Sequence, residues 1–290
     1  WNSREFYRMH MHSSRIDIDQ NPLAGSMRRA GALNELFNLP GRKRDQDGWL
    51  EARSLFQDDD QRLQDMVMAL GRDRWGTGNH HAACSAFVIA YLTRVTRPLI
   101  SQYALERRVP DVRLSNLEFH WDGQRIDGTA LKRPTFAALP ADVASSHQDA
   151  VVVADAAELY ARLKGWLFDA NLRIVIPSLR RAARASIKVS WNTVADSCAQ
   201  AFSRLYDVAE EPESVVKDAD AFFGDPSSPV YRQLAMEVFG HRGKLGLFSR
   251  RSGCCLYWRT EKSSDFCSNC ILLTREQQDT RFRETLEGRK

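Results

Sequence analysis

Near its C-terminus the chain carries four of its six cysteines within seventeen residues, Cys254-Cys255 followed by Cys267-Ser-Asn-Cys270. A thiolate is a soft donor, and four in one short segment match either tetrahedral zinc or an iron–sulfur cluster. A segment that brings four sulfurs to one point must fold around that point. Cys267-x-x-Cys270 is a chelating turn, whose two-residue spacer lets both sulfurs face one metal while backbone N–H groups turn toward them. Cys254-Cys255 is a different arrangement. Neighbouring side chains diverge along an extended chain, so one ion is not easily held by both, and a two-iron centre with wider ligand positions relaxes that conflict. A 254–267 or 255–270 disulfide is the third option and belongs to a secreted chain. Nothing argues for secretion: the N-terminal Trp-Asn-Ser-Arg-Glu-Phe-Tyr has no signal-peptide pattern. Spacing alone leaves iron–sulfur, zinc and disulfide readings open.

The rest of the chain is long enough, at 290 residues, to bury a good core. With 41 Lys+Arg against 37 Asp+Glu its net charge of +4 is too weak to argue for nucleic acid. No run of eighteen apolar residues occurs, so no transmembrane helix is expected. Met9-His10-Met11-His12 reads as part of an N-terminal arm rather than a metal site, and residues 41–48 read as a charged loop. Asp58-Asp59-Asp60 opens a helix to about Leu70. After Gly76-Thr-Gly78, Asn79 caps a second helix with Cys84, Phe87, Val88, Tyr91 and Val95 on one face, ending before Pro98. The pair Gly76-x-Gly78 lacks the third glycine of a dinucleotide fingerprint. Residues 117–126 read as a hairpin around Asp122-Gly123, and Val151–Val153 as a strand. Asp155 with Glu158 starts a helix striped by Leu159, Leu163, Trp166 and Leu167. A further helix is expected around Pro177–Arg184. The next, capped by Ser190, carries Val194, Cys198, Ala201, Phe202 and Leu205 and ends at Glu210–Glu213. Phe222–Pro229 reads as a linker, Val230–Phe239 as a short helix, and the residues from Thr274 as a charged, fraying helical tail. Cys84 and Cys198 fall on apolar stripes and read as buried thiols.

An adjacent Cys-Cys, a spacer, then Cys-x-x-Cys near the end of the chain resembles the FhuF-type ferric siderophore reductases. The spacer, Leu256 to Phe266, is one residue longer than the family pattern. The approach Gly246-Leu-Phe-Ser-Arg250-Arg-Ser-Gly-Cys254-Cys255-Leu-Tyr257 is also similar, as is Trp75 to Pro98. The resemblance implies that Cys254, Cys255, Cys267 and Cys270 hold one [2Fe–2S] cluster. It implies one-electron reduction of an Fe(III)-siderophore, of hydroxamate type. Siderophores hold Fe(III) far more tightly than Fe(II), so reduction releases the iron. The electron would come from an external donor: a ferredoxin, a reduced flavin or an NAD(P)H-dependent flavoprotein. The setting is expected to be cytoplasmic, with peripheral association at the inner face of the cytoplasmic membrane left open.

The expected fold class is α+β. Residues 1–240 form a mainly helical siderophore-binding body with a small antiparallel sheet around 117–153, and residues 241–290 form the C-terminal iron–sulfur segment and charged tail. Candidate substrate contacts are Trp75, His80 and His81 at a helix start, and Arg242 and Lys244. The last two belong to the stretch 241–262, which carries six Lys/Arg against the single acid Glu261. Tyr257 and Trp258 are expected to shield the cluster, whereas Arg180, Arg181 and Arg184 read as a solvated face. The Cys-Cys step is expected at the mouth of a groove. The alternative is a siderophore-handling or regulatory binding protein with a structural four-cysteine zinc site. A synthetase relative would need an ATP site, and no phosphate-binding loop is present.

Overall fold

The computed structural model describes residues 21–39 and 47–289, so the Met9–His12 segment and most of the 41–48 loop lie outside the described residues. The fold is α+β, and helices dominate it. Its helices in chain order are α1 (Pro22–Leu33), α2 (Ala52–Asp58), α3 (Asp60–Trp75), α4 (His80–Glu106), α5 (Ala156–Lys164), α6 (Arg173–Ala183), α7 (Ile187–Tyr206), α8 (Pro212–Gly224) and α9 (Arg275–Glu287). The strands are β1 (Trp49–Glu51), β2 (Arg108–Pro110), β3 (Leu117–Trp121), β4 (Ile126–Leu131), β5 (Phe136–Ala138), β6 (Ala150–Val152), β7 (Leu234–His241) and β8 (Lys244–Arg251).

The α4 helix is the axis of the molecule, packed between α3 on one side and α7 on the other. Its start follows the sequence signal: Asn79 accepts the N–H groups of His81 and Ala82 at 3.0 and 3.1 Å. Its end does not. The helix runs through Pro98 to Glu106. An interior proline costs about 3 kcal/mol, but Leu92, Val95, Leu99 and Ile100 around it are completely buried. Each such side chain contributes about 1.5–3 kcal/mol, so burial outweighs the lost hydrogen bond.

The α3 helix ends on Gly76 in the left-handed region at φ 63°, which turns the chain back toward α4. The two helices meet closely at Gly71, where an added Cβ would lie 2.4 Å from that of Ala83. This contact places Trp75, the last residue of α3, beside the C-terminal segment.

The helix begun at α5 passes through a π-helical stretch, Gly165–Leu172, directly into α6, where two separate helices were expected. Within the stretch Asn171 is fully buried. It accepts the Tyr91 hydroxyl at 2.5 Å and donates to the Val112 carbonyl at 2.6 Å. Ser186, one turn before the expected Ser190, caps α7. Pro212 starts α8 rather than stopping α7, with Phe222 and Phe223 of the supposed linker in its last turn, packed on Phe202.

The Asp122-Gly123 hairpin joins β3 and β4, and β1 adds to β3. A second sheet is mixed, since β5 pairs antiparallel with β2 and parallel with β6. The third sheet corrects the helix expected over Val230–Phe239: this segment gives β7, hydrogen-bonded to β8 along its whole length. Leu-Ala-Met-Glu are good helix formers, but side-chain burial along β7 broadly alternates, and long-range pairing overrides local propensity. Arg242 and Gly243 form the two-residue turn, both with positive φ, 49° and 77°, as a right-twisted hairpin requires. Residue 240 therefore lies within a hairpin whose strands fall on both sides of the expected 240/241 division.

The charged C-terminal helix is docked onto this hairpin. Thr274 and Gln277 form a capping box at its start. Phe282 stacks on Phe248 with ring centroids 4.3 Å apart, and Leu286 is fully buried. The Gly71 contact generates a test. Gly71→Ala should destabilise the protein by about 1–3 kcal/mol through overpacking against Ala83, read as a lower midpoint in thermal or denaturant unfolding.

Candidate metal centre

The β8 strand delivers the first two cysteines. After Arg251, Ser252 and Gly253 turn the chain, and an added Cβ on Gly253 would sit 2.1 Å from Asn192 Nδ2 on α7. The close approach needs glycine there. Leu256, left-handed at φ 68°, turns its N–H back to Cys254 Sγ at 3.3 Å. The two neighbouring thiols differ in exposure: Cys255 is buried and Cys254 half-exposed. Cys267 and Cys270 sit in a tight turn closed by the Cys270 N–H to the Cys267 carbonyl at 3.0 Å. Gln278 of α9 donates to the Cys270 carbonyl at 2.9 Å and fixes the turn from outside.

Cys255 and Cys267 Sγ are 3.8 Å apart. Two thiolates each about 2.3 Å from one tetrahedral metal lie about 3.8 Å from one another. Among the described residues no group of three His, Cys, Asp or Glu side chains is gathered closely enough for a metal ion, so the closest thiols form a pair with Cys254 and Cys270 around it. Sharing one proton splits the pair: the hydrogen bond from Cys267 draws Cys255 down to about 6, and Cys267 moves up. Burial pushes the Cys270 thiol up. All six cysteines are free thiols. Cys84 and Cys198 are buried in the helical core, where burial pushes Cys84 up to about 12.

Behind the cysteines lies a buried polar network. Arg251 donates to Asp196 at 3.2 Å, and both side chains are 6 % exposed. Burial disfavours the guanidinium charge, but Asp196, Cys255 and Cys267 hold its pKa above the ordinary arginine value. Asp196 also accepts Asn269 at 2.8 Å and Gln200 at 2.9 Å. Asn269 reaches Ser249 at 2.8 Å as well, and Gln200 accepts Arg97 at 3.2 Å. The network thus ties α4, α7 and β8 to the loop between Cys267 and Cys270.

In front of Cys255 and Cys267 opens a cleft of about 740 Å³. Its walls come from α3, α4, α7, β8, α9 and the cysteine segment, with Trp75, Gln200, Arg204, Tyr257, Asn269 and Phe282 among its lining residues. Tyr257 packs edge-on against Trp75 with centroids 5.2 Å apart, and its hydroxyl donates to the Lys262 carbonyl at 2.7 Å. Trp258, expected to shield the cysteines, is instead 39 % exposed. Of the five substrate residues proposed from sequence, Trp75 lines the cleft. His81 is exposed and His80 half-buried at the start of α4, outside the cleft lining. Arg242 and Lys244 sit at the hairpin turn, the far end of β8 from the cysteines, where Arg242 pairs with Glu287 at 3.0 Å and Lys244 bonds the Arg289 carbonyl. Sequence reasoning missed Asp196, Gln200 and Arg204. The available signal was Asp196 itself, a carboxylate two residues from Cys198 on a buried face, where an acid requires a partner.

The family model described as ferric iron reductase FhuF-like transporter matches residues 85–245, more than half of the chain. The chain belongs to this family. The match runs from the first turns of α4 into β8 and stops before the four cysteines, which lie outside it. No curated protein matches the chain. A ferric iron reductase-like role follows from the family in general terms. Among the described residues α4 is the one helix long and apolar enough to cross a membrane, and 83 % of its most apolar stretch is buried inside this FhuF-like fold. The buried network generates a further test. Asp196→Asn leaves Arg251 uncompensated and should cost about 3–5 kcal/mol, measured by denaturant unfolding.

Proposed function

We propose that the protein is a ferric chelate reductase in which Cys254, Cys255, Cys267 and Cys270 hold one [2Fe–2S] cluster and the adjoining cleft receives an Fe(III)-siderophore. One observation carries the reading: the Cys255 and Cys267 thiols, spaced as on one tetrahedral metal, form part of the wall of a cleft. The cleft volume falls within the range of small-molecule sites, about 300–1,000 Å³. The donor set supports an iron–sulfur centre, since four thiolates suit it and an adjacent Cys254-Cys255 pair suits ligation of two irons better than one.

When bound, such a cluster supplies a one-electron carrier. The chain's own residues do the rest. Gln278 and the Asn269–Asp196 contact hold the Cys267–Cys270 turn in place. Arg251, fixed and buried beside Cys255 and Cys267, sets a positive charge against the thiolates and favours added negative charge. Tyr257, packed edge-on against Trp75, stands beside Cys255 and Cys267 in the cleft wall and gives a bound chelate apolar surface. An electron passed to the chelate converts Fe(III) to Fe(II), which the siderophore holds weakly, and the intact ligand departs. The chain carries no recognisable flavin or nicotinamide motif, so a ferredoxin, a reduced flavin or an NAD(P)H-dependent flavoprotein acts as donor. The site belongs to the donor's compartment, taken as the cytoplasm.

The test is absorption and low-temperature EPR spectroscopy of anaerobically purified protein, before and after dithionite. The expected result is visible bands that bleach on reduction and a rhombic half-integer-spin signal. Cys255→Ser should lose both or shift them strongly. A colourless protein holding one zinc would overturn the reductase reading and favour the siderophore-handling or regulatory protein with a structural zinc site, since the 3.8 Å thiol separation suits zinc equally.

A further inference from the structure

The charges around the cleft do not balance. Its lining carries Arg74, Arg204, Arg251 and Arg289 against Asp196 and Asp207. Arg251 is paired with Asp196 and Arg289 with Asp207. Arg74 and Arg204 donate no hydrogen bond to any acceptor among the described residues. Asp73, the acid next to Arg74 in sequence, is already held by Arg125 at 2.7 Å.

Just behind the wall, a third guanidinium is out of balance. Arg97 on α4 is 7 % exposed, and its one hydrogen bond given by the structure is to the neutral Gln200 at 3.2 Å. Its Nε is buried with no acceptor. Burial, then repulsion from Arg204 and Arg74, draws its pKa down to about 10. Arg97 thus lies in the field of Arg204 and Arg74, arginines of the two helices packed against α4, with Asp196 the one carboxylate acting on it and too little to offset burial and that repulsion. Such an arrangement is costly in the empty protein and is relieved by an anion. A solvated basic face does not explain it, because Arg97 is not solvated.

We propose that the cleft selects a ferric chelate bearing net negative charge, whose carboxylate or catecholate groups meet Arg74 and Arg204 with Arg97 behind them, over a neutral or cationic hydroxamate chelate. The inference rests on the reading of the cleft as the substrate site, and it changes the expected substrate class. Trp75, Tyr257 and Phe282 in the same lining give either kind of chelate apolar surface to pack on, so charge decides between them.

The experiment uses gallium(III) chelates, which match the ferric ones in charge but are not reduced. Binding of trianionic gallium(III) tris(catecholate) and of cationic gallium(III) desferrioxamine to the full chain is measured by calorimetry at low and high salt. The anionic chelate is expected to bind at least about tenfold tighter at low salt, with the advantage shrinking as salt is added. The double variant Arg74→Gln/Arg204→Gln should raise the Kd of the anionic chelate at least about tenfold and leave the cationic one unchanged. Both side chains are exposed and unpaired, so the variant retains the fold; the exposed Arg180→Gln on α6, outside the cleft, should alter neither affinity. Equal affinities for the two chelates, or no response to the double variant, overturns the inference. Separately, anionic ferric citrate that binds with the expected arginine dependence but is not reduced by the dithionite-reduced and desalted protein would overturn the reductase reading while supporting anion selection.

Discussion

The buried Arg251–Asp196 pair is the joint on which the site depends. It links the end of β8 to α7 just before the chain turns into Cys254-Cys255. Burying two charges is expensive, and their attraction offsets the cost only when further hydrogen bonds satisfy both groups. Here Asp196 accepts Gln200 and Asn269 as well as Arg251, and Asn269 belongs to the turn between the other two cysteines. A single carboxylate therefore sets the position of both halves of the cysteine motif relative to the helical body. A pair of apolar residues in the same place would pack as well but would leave the two cysteine turns free to move independently.

The same joint shapes the cleft. The α9 helix packs Phe282 and Leu286 on the β7–β8 hairpin, and Phe282 joins Trp75 of α3 and Tyr257 in the lining of the cleft. Arg74 of α3 and Arg204 of α7 line that space together with Cys255 and Cys267, and Arg97 of α4 lies behind the wall against Gln200. A chelate bound there would meet both the arginines and the proposed metal centre. In the proposed reading, α7 of the family-matched region and α3 before it would help place the substrate, and the cysteines beyond the match would supply the donor set.

Helix starts were more legible than helix ends. Asn79 marks a start because its side chain satisfies orphan N–H groups locally, with no help from the rest of the fold. Pro98 does not mark an end, because the cost of an interior proline is local while the gain from burying α4 on both sides of it is not. The β7 strand was misread for a related reason. Helix propensity is a weak preference among near neighbours, and eight paired residues of β8, brought back by the Arg242-Gly243 turn, exceed it. The basic stretch around Arg242 and Lys244 was legible as charge, but its distance from the cysteines depends on strand direction: β8 carries Lys244 and Arg251 at opposite ends.

The sequence by itself determined the chemistry available: four thiols in one short segment, two more on apolar helical faces, and a helical body with a hairpin at Asp122-Gly123. Donor identity, capping and turn geometry are local properties, set by side chains a few residues apart. Only the tertiary structure decided which thiols lie together, which arginines share a field and where the cleft opens. Those relations join Arg74, Arg97, Asp196, Arg204 and Cys255, residues far apart along the chain. Their energies come from burial and from charge at a distance, and both are defined only once the helices and the hairpin have packed.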